Sequence, residues 1–145
     1  MKKLLTLLFV TLLPALGMAL ETTSPEFDPA HKVVIQISSD DNRSQTIALN
    51  NAVNLQKHYG IDNVAIEIVA YGPGLPMLTA ESPLKERIES LAQQSITFSA
   101  CGNTMAKIES KTGHKPVLLT GVGVVPAGVV RIIELQEQHY SYIRP

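Results

Sequence analysis

The sequence predicts one three-layer α/β/α domain built on a mostly parallel sheet of about five strands. Three observations carry this expectation. Short runs rich in Val and Ile alternate in regular order with segments of helical periodicity. The runs are apolar on both faces, as strands covered from two sides require. Clusters of Gly, Pro, Asn, Asp and Ser separate the runs, and none is long enough to divide the chain into two domains.

Each element has its own signal. Val33 to Ile37 reads as the first strand, and Ser38 to Asn42 supplies loop and N-cap residue types. From about Ser44 to Tyr59, Ala48, Ala52 and Leu55 recur at i, i+4 and i+7, with Leu49 and Val53 widening the stripe and Gly60 ending it. Val64 to Ala70 is the second strand. Tyr71-Gly72-Pro73-Gly74 is expected to be a tight turn that interrupts helix and strand alike. Ser82 and Pro83 are expected to open the next helix as N-cap and first residue, with Leu84, Ile88 and Leu91 facing inward. Ser95 to Ala100 is the third strand, broken by Cys101-Gly102-Asn103-Thr104, and a short helix runs from there to about Lys111. Gly121 to Val125 is the fourth strand. Pro126 is expected to start the last helix, with Val129, Val130 and Ile133 inward, and His139 to Ile143 is a short final strand.

The N-terminus has the pattern of a secretory signal. Lys2 and Lys3 precede an uncharged apolar run from Leu4 to Leu13, Pro14 breaks it, and small residues stand at Gly17 and Ala19. Cleavage is expected after Ala19. The competing reading, an uncleaved anchor, needs roughly 20 apolar residues, more than this run offers. No Cys follows the cleavage region, which disfavours a lipoprotein. The expected organisation is therefore a signal peptide over 1–19, an exposed flexible leader over 20–31 and the folded domain over 32–145, located in the periplasm and free of the membrane after cleavage.

Composition narrows the function. Of 145 residues, 45% are hydrophobic, enough for a packed core. There is no Trp and aromatics make up 5%, which argues against stacking platforms for sugars or single-stranded nucleic acid. The formal net charge is −1 and becomes more negative once Lys2 and Lys3 are removed, so a nucleic-acid partner is not expected. The histidines, His31, His58, His114 and His139, are scattered without metal-ligand spacing, and no metal or cofactor is expected. Gly121-Val122-Gly123 lacks the rest of a dinucleotide fingerprint.

In a parallel sheet the functional crevice lies beyond the C-terminal ends of the strands. That rule gathers four loops at one edge: Ser38–Asn42, Tyr71–Gly74, Cys101–Thr104 and Pro126–Gly128. The chain's single cysteine, Cys101, falls there. A lone thiol in an exported chain is a buried small hydrophobe, an intermolecular partner or a reactive group. Asn103 or Thr104 is expected to cap the following helix, whose N-terminal N–H groups would favour a thiolate at Cys101. Asp40, Asp41, Tyr71, Gly72, Gly102, Asn103, Thr104 and Pro126 are the candidate ligand contacts. Each has a plain structural reading beside the functional one: cap for the aspartates, Asn103 and Thr104, turn for Tyr71 to Gly74.

Val33–Ile37, Asn50–Leu55 (NNAVNL), Glu67–Gly74 (EIVAYGPG), Thr97–Thr104 (TFSACGNT), Val124–Val129 (VVPAGV) and Gln138–Pro145 (QHYSYIRP), in this order and spacing, resemble the exported and soluble members of the DsrE/DsrF-like sulfur-relay family. The resemblance runs from about Lys32 to the C-terminus. It implies a five-stranded α/β domain that assembles into homo-oligomers, trimers or hexamers. It also implies a cysteine after a strand that carries sulfur as a persulfide, a place Cys101 occupies, with a sulfur donor or acceptor protein as partner. The chain departs from the cytoplasmic relay subunits in being exported and in the residues around Cys101. Two functions stand open at this stage: a sulfurtransferase-like carrier acting through Cys101, and a non-catalytic oligomeric module binding a small ligand or partner in the same crevice.

Overall fold

The computed structural model describes residues 28–145. The expected signal peptide and its cleavage point after Ala19 lie outside the described residues. The elements in chain order are β1 His31–Ile37, α1 Asn42–Tyr59, β2 Val64–Ala70, a 3-10 helix Gly72–Leu78, α2 Lys85–Ala92, β3 Ile96–Cys101, α3 Gly102–Thr112, β4 Val122–Val125, α4 Gly128–Glu137 and β5 Ser141–Ile143.

The strands form one sheet in the order β4-β3-β2-β1-β5, and every neighbouring pair is parallel. This order explains where the helices go. Crossovers between parallel strands are right-handed. Three successive steps in one direction, β1 to β4, therefore put α1, α2 and α3 on one face. The return step from β4 to β5 runs the other way and puts α4 on the opposite face.

The two faces differ in depth. Alternation along the strands sends Val33, Ile35, Ile37, Ile66, Ile68, Ile96 and Phe98 to the first face. There they meet Leu49 and Ala52 of α1, Leu75, Met77 and Leu78 of the 3-10 helix, Ile88 of α2 and Met105 of α3. The second face buries only Val34, Val69, Ile132 and Leu135 as an apolar cluster.

Several elements depart from the sequence expectation. Tyr71–Gly74 is not a free-standing turn: Gly72 begins a 3-10 helix that runs to Leu78 with Pro73 in its first turn and Pro76 inside. Proline's fixed φ suits 3-10 geometry, and a first-turn proline forgoes an N–H that would have no partner there. Gly74 is required because a Cβ at this position would lie 2.4 Å from the Ile37 carbonyl oxygen. Helix α2 starts at Lys85, later than expected. Ser82 Oγ accepts from the Leu84 N–H at 3.2 Å, closing a turn ahead of the helix and capping none of its residues. Cys101, not Asn103 or Thr104, is the N-cap of α3. Helix α4 begins at Gly128, with Ala127 as its N-cap, two residues after Pro126.

The largest correction concerns α4. Val129, Val130 and Ile133 do not face inward; they are 57%, 51% and 52% exposed, and Gly128, Ile132 and Leu135 are buried instead. The helix is apolar on two sides, so periodicity alone does not choose between them. Arg131 decides: its guanidinium reaches the buried Glu67 on β2, and that contact turns Ile132 and Leu135 toward the sheet.

Candidate functional site

Three of the four expected loops meet at the C-terminal edge of the sheet. Strand β3 ends at Cys101, whose φ of −74° and ψ of 115° are extended, and α3 begins at the next residue. Backbone hydrogen bonds tie the neighbouring loops together. The Tyr71 N–H donates to the Ile37 carbonyl at 3.0 Å, and the Asn103 N–H donates to the Pro126 carbonyl at 3.1 Å. Gly72 N–H donates to Thr104 Oγ1 at 2.9 Å, joining the 3-10 helix to α3.

Gly128 closes the third side. A Cβ there would stand 3.0 Å from two Tyr71 side-chain atoms and 3.3 Å from Cys101 Cβ, so only glycine lets α4 come this near. Gly102 is packed comparably, its Cβ direction 3.2 Å from the Val125 carbonyl oxygen.

The thiol of Cys101 is buried, with 5% of the residue exposed. Burial pushes its pKa up, because a thiolate loses hydration. The nearby Thr104 hydroxyl and, after it, the backbone N–H groups of Gly128, Thr104 and Asn103 oppose that by favouring the charged form, although the Cys101 side chain accepts no capping hydrogen bond from α3. They prevail, and the thiol lies below its ordinary value of 9.0. The Gly72 N–H occupies a lone pair of Thr104 Oγ1, which leaves the hydroxyl proton free to point at sulfur. Three of these four groups belong to the first turn of α3, where N–H groups lack intrahelical partners. The fourth, on Gly128, heads α4. Two helix N-termini thus converge on one sulfur, an arrangement that favours a thiolate and other anionic sulfur species.

Of the expected contacts, Tyr71, Gly72, Gly102, Asn103, Thr104 and Pro126 surround Cys101. Asp40 and Asp41 are not among them and lie at the start of α1. Asp41 caps α1, its Oδ2 accepting from the Ser44 N–H at 2.8 Å, and Asp40 is exposed. Beside them Ser38, Ser39, Ser44 and Arg144 line a cavity of about 200 Å3 between the ends of β1 and β5. A groove of about 260 Å3 adjoins the cysteine loops and is lined by Val125, Pro126, Ala127, Val130, Arg131 and Glu134. Val125 is the direct strand partner of Cys101. A larger cavity, about 340 Å3, lies along α1 and β5 and shares no residue with these loops. Among the described residues no three His, Cys, Asp or Glu side chains gather closely enough to hold a metal ion.

One polar cluster escaped the reading of the sequence. Glu67, 4% exposed, accepts from Ser99 Oγ at 2.6 Å and from Arg131 Nε and Nη2 at 2.9 and 2.7 Å. Its signal was available: a glutamate in the middle of the otherwise apolar VAIEIVA strand has to find a buried partner.

The sequence model of the DsrE/DsrF-like family matches residues 31–145. The chain is similar to a solved structure from Methanobacterium thermoautotrophicum, the protein of unknown function MTH1491. Identity is 33% and the TM-score 0.71, over 79% of this chain and 99% of that one. No curated protein matches the chain.

Proposed function

Because the chain belongs to the DsrE/DsrF-like family, whose character points to sulfur-relay-related work, we propose that it is a periplasmic sulfur carrier with a persulfide on Cys101. One observation supports this most: the heads of α3 and α4 meet at Cys101, where the Thr104 hydroxyl and neighbouring backbone N–H groups lower the pKa of a thiol that burial alone would keep protonated. Carriers of sulfane sulfur need a thiolate to accept the atom and donors to stabilise the persulfide anion.

The step balances without an external reductant. Cys101 thiolate attacks the terminal sulfur of a donor persulfide. A new S–S bond forms at Cys101, the donor's S–S bond breaks, and the donor leaves as a thiolate that takes up a proton. The oxidation level of the transferred sulfur is unchanged. Transfer to an acceptor thiol is the same reaction in reverse.

Assembly into a homo-oligomer, a trimer or hexamer, belongs to the same proposal. Val129, Val130 and Ile133 offer an exposed apolar surface on α4, a feature that marks association sites.

The test is intact-mass analysis of protein purified from the periplasm, before and after exposure to an inorganic polysulfide. The expected result is a reductant-reversible gain of one sulfur atom that is absent in Cys101→Ser, on a chain beginning at Leu20. No adduct, together with a thiol that resists alkylation until the protein is denatured, sinks the carrier reading. That outcome favours the second function, a non-catalytic module using the groove beside Pro126. A mass that retains the first 19 residues refutes cleavage after Ala19.

A further inference from the structure

We infer that the Glu67–Arg131 pair, braced by Ser99, is a positioning device that holds the head of α4 against Cys101. The inference rests on the proposal that Cys101 is the reacting group, and it adds the residues that set the geometry around it.

Register supports the assignment. Ser99 and Cys101 lie two residues apart on β3, so they share a face of the sheet, separated by roughly 6.6 Å along the strand. Gly128 and Arg131 lie three residues apart on α4, almost one turn, separated by roughly 4.5 Å along the helix. The helix runs down the sheet from the edge where the strand ends. One rung therefore carries Gly128 and Cys101, where a Cβ on the glycine would stand 3.3 Å from the cysteine Cβ, and the next carries Arg131, Glu67 and Ser99.

The second face has little else to hold α4. Its apolar cluster has four buried residues, only two of them on the helix, Ile132 and Leu135. The N-cap, Ala127, has no side-chain oxygen for the first turn. A planar guanidinium bound at two points by a buried carboxylate fixes rotation as well as distance, which apolar packing of this size does poorly. Without it the helix is free to turn Val129, Val130 and Ile133 toward the sheet, and Gly128 with its N–H moves away from Cys101.

The charges on elements packed about the thiol give the test its sign. They are Glu67 on β2, Arg131 and Glu134 on α4, Tyr71 at the start of the 3-10 helix, and Lys107, exposed on α3. If Glu67 and Arg131 acted on Cys101 only through their charges, removing each would move the thiol in opposite directions. Losing Arg131 would raise its pKa and losing Glu67 would lower it. A positioning device requires both losses to raise it.

The measurement is the pH dependence of iodoacetamide alkylation of Cys101 in the mature full chain, for wild type, Glu67→Ala and Arg131→Leu. Circular dichroism confirms that each is folded. The expected result is a wild-type midpoint below 9.0 and midpoints displaced upward in both variants, with alkylation at pH 7 slowed about three- to tenfold. Arg131→Lys, which keeps the charge and loses the fork, is expected to show much of the same displacement. Opposite displacements, or unchanged midpoints beside a depressed wild-type value, overturn the positioning role and leave the carrier reading intact. A wild-type midpoint at or above 9.0 overturns the carrier reading first. Should either variant fail to fold, Ser99→Ala, which removes one hydrogen bond from Glu67, carries the same prediction with a smaller displacement.

Discussion

The two faces of the sheet are built to different standards. On the first, three helices and a 3-10 helix bury 21 core residues among those described. On the second, one helix covers a cluster of four and leaves Val129, Val130 and Ile133 in solvent. The strands divide their polar side chains in the same way. Their first face is apolar, the buried Gln45, Thr79 and Ser82 lying in the layer that covers it, whereas the second carries Glu67, Ser99, Arg131 and the pair of Gln36 with Tyr142. Cys101 stands where they meet, packed with the large core yet closely approached by Gly128 at the head of α4. The deep face holds most of the apolar core, and the thin face holds the Glu67–Arg131 pair and an open apolar surface.

Leucine truncation measures that difference directly. Leu49 on α1 and Leu135 on α4 are both fully buried, one in each cluster. Leu49→Ala is expected to cost about 3–5 kcal/mol, because the dense surroundings cannot close on the cavity, and Leu135→Ala about 2–3 kcal/mol, because a lightly held helix can settle. Urea unfolding of dilute protein gives both numbers. Equal losses would mean that the second face is packed as rigidly as the first.

The next perturbation asks what covers the thin face. Ile133→Lys places a charge in the middle of the exposed apolar surface of α4, about one turn from Val129 and Val130. If copies of the chain associate there, sedimentation equilibrium should show the wild type as a trimer or hexamer and the variant as a monomer with unchanged circular dichroism. A monomeric wild type, or an assembly indifferent to Ile133→Lys, removes this face from the interface.

The deep face was also the more legible of the two in the sequence. Its strands are runs such as VAIEIVA whose apolar character leaves one reading, and its long helix α1 repeats Ala48, Ala52 and Leu55 on one side. The same logic failed on α4. GVVRIIELQE is apolar on two sides, and the choice between them depends on Glu67, 64 residues earlier in the chain. The 3-10 helix was hidden for a related reason. Gly and Pro at 72–74 signal a break in α-helix and strand, and they are also compatible with a tighter helix whose Leu75, Met77 and Leu78 then pack into the core. Placing Cys101 at the functional edge needed only strand order. Thr104, three residues on, was within reach of the same reading; the approach of Gly72 to Thr104 and of Gly128 to Cys101 was not, because no spacing in the sequence ties those loops together.

The smallest expected effect compares how the helices on the two faces begin. Helix α1 has a carboxylate at its N-cap and α4 has Ala127, so only the deep face gains an electrostatic cap. Asp41 sits below its ordinary pKa of 3.8 chiefly because the Ser44 N–H, and after it the Ser44 hydroxyl, bond its charged form. A carboxylate depressed in the folded state stabilises above its unfolded pKa, and the contribution disappears as pH falls through the folded pKa. The difference in Tm between wild type and Asp41→Ala should therefore be constant from neutral pH down to about 4 and shrink below 3.8. Asp41→Asn keeps a side-chain oxygen for the same N–H and has no charge to lose. Its Tm should stay near that of wild type at neutral pH, and its advantage over Asp41→Ala should persist in acid. A wild-type advantage over Asp41→Ala that survives unchanged to pH 2 would show that the cap works through the hydrogen bond alone, which would remove the electrostatic distinction between the two faces.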